Sequence, residues 1–178
     1  MKATAPGNEI GTIFFSQGIS NIDVSVKTGI PTSELSRIRN GEIRAIAAFK
    51  FYLIALAIDT PINLFIENAY KNLRLANIKG SKSIIDGSKL TSLGAILRPY
   101  EETTLASIAF KTGIALKRLK DLSRKNSSIV LAYELFLIEM AIGEKPGFLF
   151  SKLFSHLELN SLERQNELRL KENQKTID

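Results

Sequence analysis

The sequence predicts an all-α protein in which two tandem five-helix units pack together. Apolar residues recur at helical spacing along most of the chain. Residues 9–65 overlay residues 93–149 without a gap when the first stretch is shifted by 84 positions. The identities cluster along the apolar stripes and at a Lys-Thr-Gly-Ile turn, found at 27–30 and at 111–114. Because a shared fold needs these positions, we interpret the two stretches as copies of one unit.

The composition is that of a globular chain without thiols and with a positive charge balance. The 178 residues suffice for one large or two small domains, and 44% of them are apolar. Cysteine is absent, which excludes disulfides and thiolate metal sites. The net charge of +6 is compatible with a polyanionic partner. With no secretory signal pattern and no apolar run near the ~20 residues that span a bilayer, we expect a cytoplasmic protein, associated with a bacterial nucleoid and not with a membrane.

Two short helical patterns flank Gly29. Ser20 is a good N-cap for the first of them. Gly29 can take the positive φ that a sharp helix exit needs. Pro31 suits the start of the second helix, with Thr32 or Ser33 as alternative caps. Two short helices joined by a glycine-centred turn form the helix-turn-helix pattern.

Three further helices are predicted around this pattern. An apolar group at helical spacing predicts a first helix over 9–17. A strongly apolar stretch predicts a buried helix over 43–58. The start signal at Pro61 predicts a helix over 62–75. The first copy therefore contains five helices.

The apolar spacing leaves one alternative open and defines a predicted core. Ile22, Val24 and Val26 lie two apart, a spacing that also suits a strand. In the buried helix, the predicted apolar stripe consists of Ile46, Phe49, Leu53 and Leu56, with Tyr52 beside it. The aromatic residues expected in the core, and not on a stacking platform for bases, are Phe14, Phe15, Phe49, Phe51 and Tyr52.

An ordered set of small motifs runs through the central pattern. A Ser cap is followed by an apolar-small pair, a Gly-apolar pair at the turn, an apolar-Ser step and an Asn-Gly stop. This set resembles the phage lambda-repressor/Cro family of helix-turn-helix domains, and the match extends to about Phe65. The resemblance implies a five-helix fold that binds DNA. The residues that carry it are Ser20, Val24-Ser25, Gly29-Ile30, Leu35-Ser36 and Asn40-Gly41.

The same resemblance implies which side chains meet DNA. In the family, the second helix of the turn lies in the major groove, and the N-terminus of the first helix approaches phosphate. Arg37 is the best single candidate, because a guanidinium can donate two hydrogen bonds to guanine O6 and N7. The alternative is that these polar residues only form a solvated helix face. The implied contacts are Thr32, Ser33 and Arg37 with bases, Glu34 and Ser36 beside them, Asn21 and Asn40 with phosphate, and Arg39 and Arg44 as added charge.

The second copy departs from the pattern in its recognition helix. Leu116 occupies the position of Thr32, so base readout by this helix is poorer. From 111 to 125 there are six basic residues and one acidic residue, Asp121. This stretch can grip phosphates without reading bases, or it can be an ordinary basic surface. The candidate contacts are Lys117, Arg118, Lys120, Arg124 and Lys125.

The composition divides the chain into four parts. Two Gly-Ser-Lys steps mark a linker over 76–89. The linker separates a first helix-turn-helix domain at 1–75 from a second, divergent one at 90–155. A charged tail follows over 156–178, where Asn160 is predicted to cap a marginal helix exposed to solvent.

The residues give little support to catalysis. His156 is the only histidine and lies in the tail, and without cysteine the usual nucleophilic and metal constellations lack members. We therefore predict that the protein is not an enzyme and needs no cofactor or metal. Our first hypothesis is a transcriptional regulator that binds double-stranded DNA sequence-specifically and acts by operator occupancy. The alternative is a non-catalytic protein–protein interaction module, and whether the chain forms a homodimer is left open.

Overall fold

In the computed structural model, which describes residues 5–77, 90–98 and 104–174, every regular element is an α-helix. The prediction of an all-α protein is therefore confirmed for these residues. The helices are α1 (Ile10–Ser16), α2 (Asn21–Thr28), α3 (Thr32–Arg39), α4 (Ala48–Ala57), α5 (Ile62–Ala69), α6 (Ser92–Leu97), α7 (Leu105–Thr112), α8 (Leu116–Arg124), α9 (Ala132–Ile142), α10 (Phe148–Phe154) and α11 (Leu162–Gln174). No single helix in the described ranges is long and apolar enough to cross a membrane; α4 and α5 pass that test only together, by length and composition, as a pair bent by 114°.

The turn between α2 and α3 depends on its capping residues. Ser20 Oγ accepts a hydrogen bond from the Ile22 N–H at 3.1 Å, which confirms the predicted N-cap. Gly29 ends α2 in the left-handed region at φ 76°, and its N–H donates to the Ser25 carbonyl at 2.7 Å. Since residues 21–28 are helical, the strand alternative for this stretch is excluded.

The helix α3 begins one residue earlier than either predicted cap allows. Pro31 is its N-cap, and the Pro31 carbonyl accepts a hydrogen bond from the Leu35 N–H at 3.0 Å. Thr32 is already helical, and no side chain caps this helix. The prediction of Thr32 or Ser33 as the cap was wrong, because the φ of Pro31 is already set for the helix entry.

The helix α4 starts later than predicted and buries a different face. It begins at Ala48 because the preceding residue, Ala47, is extended and pairs with Leu131 in an isolated antiparallel bridge. Phe51 is fully buried, whereas Leu56 of the predicted stripe is 40% exposed. The predicted stripe was wrong because nearly every residue of this helix is apolar, so spacing alone does not identify the buried face.

The helix α5 ends earlier than predicted. α5 stops at Ala69, and residues 70–75 leave it through a turn closed by a 2.8 Å hydrogen bond from the Leu73 N–H to the Tyr70 carbonyl. The predicted end of α5 near residue 75 was therefore wrong.

The helices repeat at the same offset as the sequence. α7, α8 and α9 begin 84 positions after α2, α3 and α4. Gly113 ends α7 at φ 74°, in the same conformation as its counterpart in the first turn. Lys27 Nζ donates to the Ala57 carbonyl at 2.7 Å, and Lys111 Nζ donates to the Ala141 carbonyl at 2.9 Å. The repeated lysine therefore satisfies a carbonyl at the end of α4 and of α9.

The first and second sets of helices meet along α4, which packs against α9 and α10. Beside the bridge, the Ala48 N–H donates to the Val130 carbonyl at 2.9 Å. The Ala132 N–H donates to the Ile46 carbonyl at 2.8 Å. These two hydrogen bonds join equivalent positions in opposite directions, so the contact around them is two-fold in character.

Most of the aromatic core is as expected. Phe14 and Phe51 are fully buried, and the centroid of the Phe51 ring lies 5.8 Å from that of Phe150. Phe15 is 80% exposed, so the expectation was wrong for this residue. Helix α1 buries the face that carries Ile10 and Phe14, and Phe15 lies off that face. Half-buried positions are held by Phe49 and Tyr52.

The tail helix α11 contacts α2 but stays largely exposed to solvent, as predicted, with Leu162 78% and Leu170 65% exposed. The Asn160 N–H donates to the Lys27 carbonyl at 2.7 Å, and its side-chain Nδ2 donates to the Val26 carbonyl at 2.8 Å. Arg169 forms an ion pair with Asp23 at 2.8 Å. The predicted role of Asn160 as the cap of its own helix was wrong, because its groups satisfy the end of α2 instead.

Asn77 makes the matching contacts in the second set of helices. Its N–H donates to the Lys111 carbonyl at 3.0 Å, and its Nδ2 donates to the Phe110 carbonyl at 2.7 Å. Asn77 belongs to the predicted linker 76–89, of which residues 78–89 lie outside the described part. Each set of five helices is thus followed by an asparagine that caps the other set.

Glu139 is a buried carboxyl group at the start of α10. Its oxygens accept hydrogen bonds from the backbone N–H of Gly147 at 2.9 Å and of Leu149 at 2.7 Å. Burial raises the pKa of Glu139 to about 7, and the backbone donors oppose that rise only in part. The position 84 residues earlier is Ala55, so the first set of helices lacks this group.

The raised pKa of Glu139 predicts a pH-dependent stability. The folded protein holds this proton to a higher pH than the unfolded chain, so the free energy of unfolding should fall as the pH rises from about 4.5 to about 7. Glu139→Gln should flatten this part of the curve in urea unfolding, and the exposed control Glu158→Gln should keep it. An unchanged slope in Glu139→Gln would contradict the assignment.

At Gly11 the close approach of α1 and α3 leaves no room for a methyl group. A Cβ at this position would overlap the backbone oxygen of Arg39, so Gly11→Ala should push α1 away from α3 and lower the free energy of unfolding by roughly 1–3 kcal/mol. Gly7→Ala is the control, because an added Cβ there meets nothing. Equal stability of the two variants in denaturant unfolding would show that α1 and α3 are not in close contact.

Candidate nucleic-acid interface

The helix α3 presents a short polar face. Leu35 and Ile38 are buried beneath it and hold it against α1 and α2. Ser33 and Arg37 are exposed, and Thr32 is half-buried. All three predicted base-facing residues therefore lie at the surface, while the apolar residues between them face the core. The neighbouring predicted contacts are half-buried Ser36 and Arg39, and exposed Asn40 and Arg44.

The guanidinium of Arg37 has only a loose partner. Its Nε lies 3.4 Å from Glu42 Oε2, and 61% of the side chain is exposed. The backbone N–H groups of Glu42 and Ile43 donate to the Arg37 carbonyl at 2.9 and 3.1 Å, which holds the following loop against α3. Because an exposed ion pair of this kind is worth little, the guanidinium can exchange Glu42 for another acceptor.

The third residues of α3 and α8 each form an ion pair within the protein. Lys50 Nζ donates to Glu34 Oε1 at 2.6 Å. At the positions 84 residues later, Arg118 donates to both carboxylate oxygens of Glu134 at 2.8 Å. The two ion pairs join the same positions with opposite polarity. Two predicted DNA contacts, Glu34 and Arg118, thus have their charged groups turned to a partner on α4 or α9.

The pair on α8 is the more buried of the two. Only 5% of the Glu134 side chain is exposed, and its Oε2 also accepts a hydrogen bond from the Leu131 N–H at 3.0 Å. Arg118 donates further to the Ile129 carbonyl at 2.7 Å. The hydrogen bond to Glu134 raises the pKa of Arg118. This arginine therefore fixes α8 to the loop that leads to the bridge.

The exposed face of α8 is basic. Lys117, Lys120 and Arg124 are exposed and form no ion pair with any described residue. Lys125 lies 2.7 Å from Asp121, and the hydrogen bond from this lysine lowers the pKa of Asp121. Three unpaired cations thus remain on α8, whereas α3 offers a single exposed arginine. Leu116, at the position of Thr32, is 37% exposed and gives this helix an apolar first residue.

Asn21 lies at the first position of α2, as the phosphate assignment requires, but its side chain is half-buried. Its Oδ1 is buried without a hydrogen-bond donor among the described residues. Only the amide nitrogen of this side chain can donate to a phosphate. The first turn of α2 also carries Asp23, whose carboxylate is paired with Arg169.

Several positioning residues were not identified from the sequence as such. Lys27 and Lys111 were seen as repeated letters, yet their bonds to helix ends required the structure. No sequence signal indicated the contacts of Asn77, and the sequence predicted a local cap for Asn160, because their actual partners lie far away along the chain. His156, which lies in the tail, is exposed.

Arg118 should stabilise the fold, whereas Lys120 on the same helix should not. Arg118→Ala should leave the buried carboxylate of Glu134 without its charged donor and lower the free energy of unfolding by roughly 1–3 kcal/mol. Lys120→Ala, on the exposed face of the same helix, should change it by less than about 0.5 kcal/mol. Chemical denaturation of the two variants compares them directly, and equal losses would refute the structural role of Arg118.

The chain matches no protein-family model, no curated protein and no solved structure. The case for a function therefore depends on the residues and the surface described above.

Proposed function

We propose that the protein binds double-stranded DNA sequence-specifically and regulates transcription by occupying an operator. The observation that carries this proposal is the surface of α3, where Ser33 and Arg37 are exposed next to a glycine turn with α2. A helix presented in this way can enter the major groove, whose base edges offer acceptors to an arginine.

We infer further that the ten helices α1–α10 form two lambda-repressor-like helix-turn-helix units. Three features support this inference. Gly29 and Gly113 end their helices in the same left-handed conformation, and Ser20 and Thr104 cap the starts of the same helices. The offset of 84 positions relates the starts of α2, α3 and α4 to those of α7, α8 and α9, and it also relates the lysine contacts and the swapped ion pairs.

The charge distribution supports a polyanionic partner. The chain carries a net charge of +6, and α8 exposes Lys117, Lys120 and Arg124 without ion-pair partners among the described residues. Cations that are not neutralised within the protein can replace the counterions of a phosphate backbone. Under this proposal α3 supplies the base contacts and α8 supplies mainly phosphate contacts.

A second candidate function is a protein–protein interaction module. It is favoured by apolar side chains on the second helix-turn-helix, where Leu116 is 37% exposed and Phe110 is 49% exposed. The two candidates differ in salt dependence. DNA binding through phosphates weakens steeply as salt rises, whereas an apolar protein interface does not.

Arg37→Ala tests the proposed function. Removal of the guanidinium should relax the base preference at one position of the selected site and cost about 1–3 kcal/mol in binding free energy. Selection of bound duplexes from a randomised pool, followed by titration of the preferred duplex, measures both quantities. Arg74→Ala is the control, since Arg74 is an exposed arginine outside α2 and α3.

Two outcomes would contradict the proposal. If the wild-type chain enriched no sequence and bound no duplex at low salt, the DNA function would be wrong. If Arg37→Ala kept the preferred sequence and the affinity of the wild type, Arg37 would not be the base-reading residue.

A further inference from the structure

The two recognition helices, α3 and α8, are both connected by short segments to the bridge between Ala47 and Leu131. Ala47 and Leu131, which are 84 positions apart, face each other in the antiparallel bridge. The hydrogen bonds beside them run from Ala48 to Val130 and from Ala132 to Ile46, at 2.9 and 2.8 Å. Exchange of one set of residues for the other reproduces the pattern, which places a local two-fold axis at this bridge.

Each recognition helix lies close to that axis. Ile43 is hydrogen-bonded to the carbonyl of Arg37 in α3, and the four residue steps from Ile43 to Ala47 span at most ~14 Å. In the second set, Arg118 of α8 holds the carbonyl of Ile129, two residues before the bridge. A two-fold protein that reads B-DNA places its recognition helices about 34 Å apart, one helical turn. The short tethers on both sides of the axis hold the two recognition helices in a fixed relation to each other.

The asparagine caps reinforce the same symmetry. Asn77 follows the first set of helices in the chain and caps the end of α7 in the second set. Asn160 follows the second set and caps the end of α2 in the first. Each cap joins the end of a first helix of the turn, so the exchange fixes both helix-turn-helix pairs relative to one another. The chain therefore contains both halves of what a homodimer would build from two copies.

The two halves expose different chemistry to a duplex. At three equivalent surface positions α3 carries Thr32, Ser33 and Arg37, where α8 carries Leu116, Lys117 and Asp121. The second helix therefore replaces hydroxyls and a guanidinium by an apolar group, a lysine and a carboxylate that is already paired with Lys125. Hydroxyl and guanidinium groups can read base edges, whereas lysines neutralise phosphates.

We infer, on the basis of the proposed function, that a single chain binds one asymmetric DNA site with two unequal half-sites. α3 reads the bases of one half-site. α8 grips the phosphates of the other, one turn away, with Lys117, Lys120 and Arg124. No second copy of the chain is needed to complete this site.

Stoichiometry and interference footprinting test this inference with the full chain and duplexes selected from a randomised pool longer than two turns. We expect one chain per duplex in analytical ultracentrifugation. Base interference should occur in one half only, and phosphate interference in both halves, about 10 base pairs apart. Two chains per duplex, or base contacts related by an inverted repeat, would overturn the inference while leaving DNA binding intact. Failure to enrich any sequence would overturn the proposed function as well.

The variant Lys117→Ala/Lys120→Ala tests whether α8 contacts the second half of the site. It should lower affinity for all duplexes alike, remove the phosphate interference of the non-reading half and reduce the salt slope by about two. Lys145→Ala, an exposed lysine after α9, is the matched control and should change neither quantity. Retained phosphate interference in the non-reading half would overturn the assignment to α8.

Transplantation of the reading residues gives a gain of function as a second test. Leu116→Thr/Lys117→Ser/Asp121→Arg places the side chains of α3 on α8 without altering Leu119, which is buried. If the two helices are related as inferred, this variant should select an inverted repeat in place of an asymmetric site. If a folded variant, judged by its thermal transition, still selects an asymmetric site, the inferred symmetry is wrong.

Discussion

The two backbone hydrogen bonds at the Ala47–Leu131 bridge are the constraint on which the arrangement of the helices depends. α4 and α9 begin directly after this bridge. The first N–H groups of a helix have no partner within it, and a buried donor left unpaired is costly. Here the Ala48 and Ala132 N–H groups find their acceptors in the opposite set of helices. The start of each central helix is therefore stabilised from the opposite set of helices, and the start of α9 also by the Glu134 carboxylate that accepts from the Leu131 N–H.

The swapped ion pairs show how the same geometry tolerates opposite charges. Two ion pairs connect α3 to α4 and α8 to α9. They are formed by Glu34 with Lys50 and by Arg118 with Glu134. The Coulomb attraction does not depend on which side carries which sign, so either polarity fixes the helix. The choice matters for the surface, because it leaves an acid at the third position of α3 and a base at the third position of α8. Each of these groups is used for structure, and under the proposed function the residues around it would contact DNA.

Local sequence signals predicted what local physics determines. Ser20 as an N-cap and Gly29 as a left-handed exit follow from the needs of the residues beside them, and the structure agrees at both. The start of α4 could not be predicted, because it depends on Leu131, whose proximity in space is invisible in the chain around Ala47. The same holds for Arg118 and for Asn160. The sequence predicts a phosphate contact for Arg118, whose guanidinium instead binds Glu134. It predicts a local cap for Asn160, whose side chain instead caps the end of α2.

A tandem chain has a freedom that a homodimer lacks. In a symmetric dimer every substitution appears in both halves, so a change that weakens base reading weakens it twice. In one covalent chain, Leu116 and Lys117 can replace hydroxyl residues in one half while Thr32 and Ser33 remain in the other. Covalent linkage also keeps the two halves together at any protein concentration, because the second contact becomes intramolecular. Under the proposed function, a half that only grips phosphate adds affinity to a half that reads bases, and the base-reading half alone determines which sequence is bound.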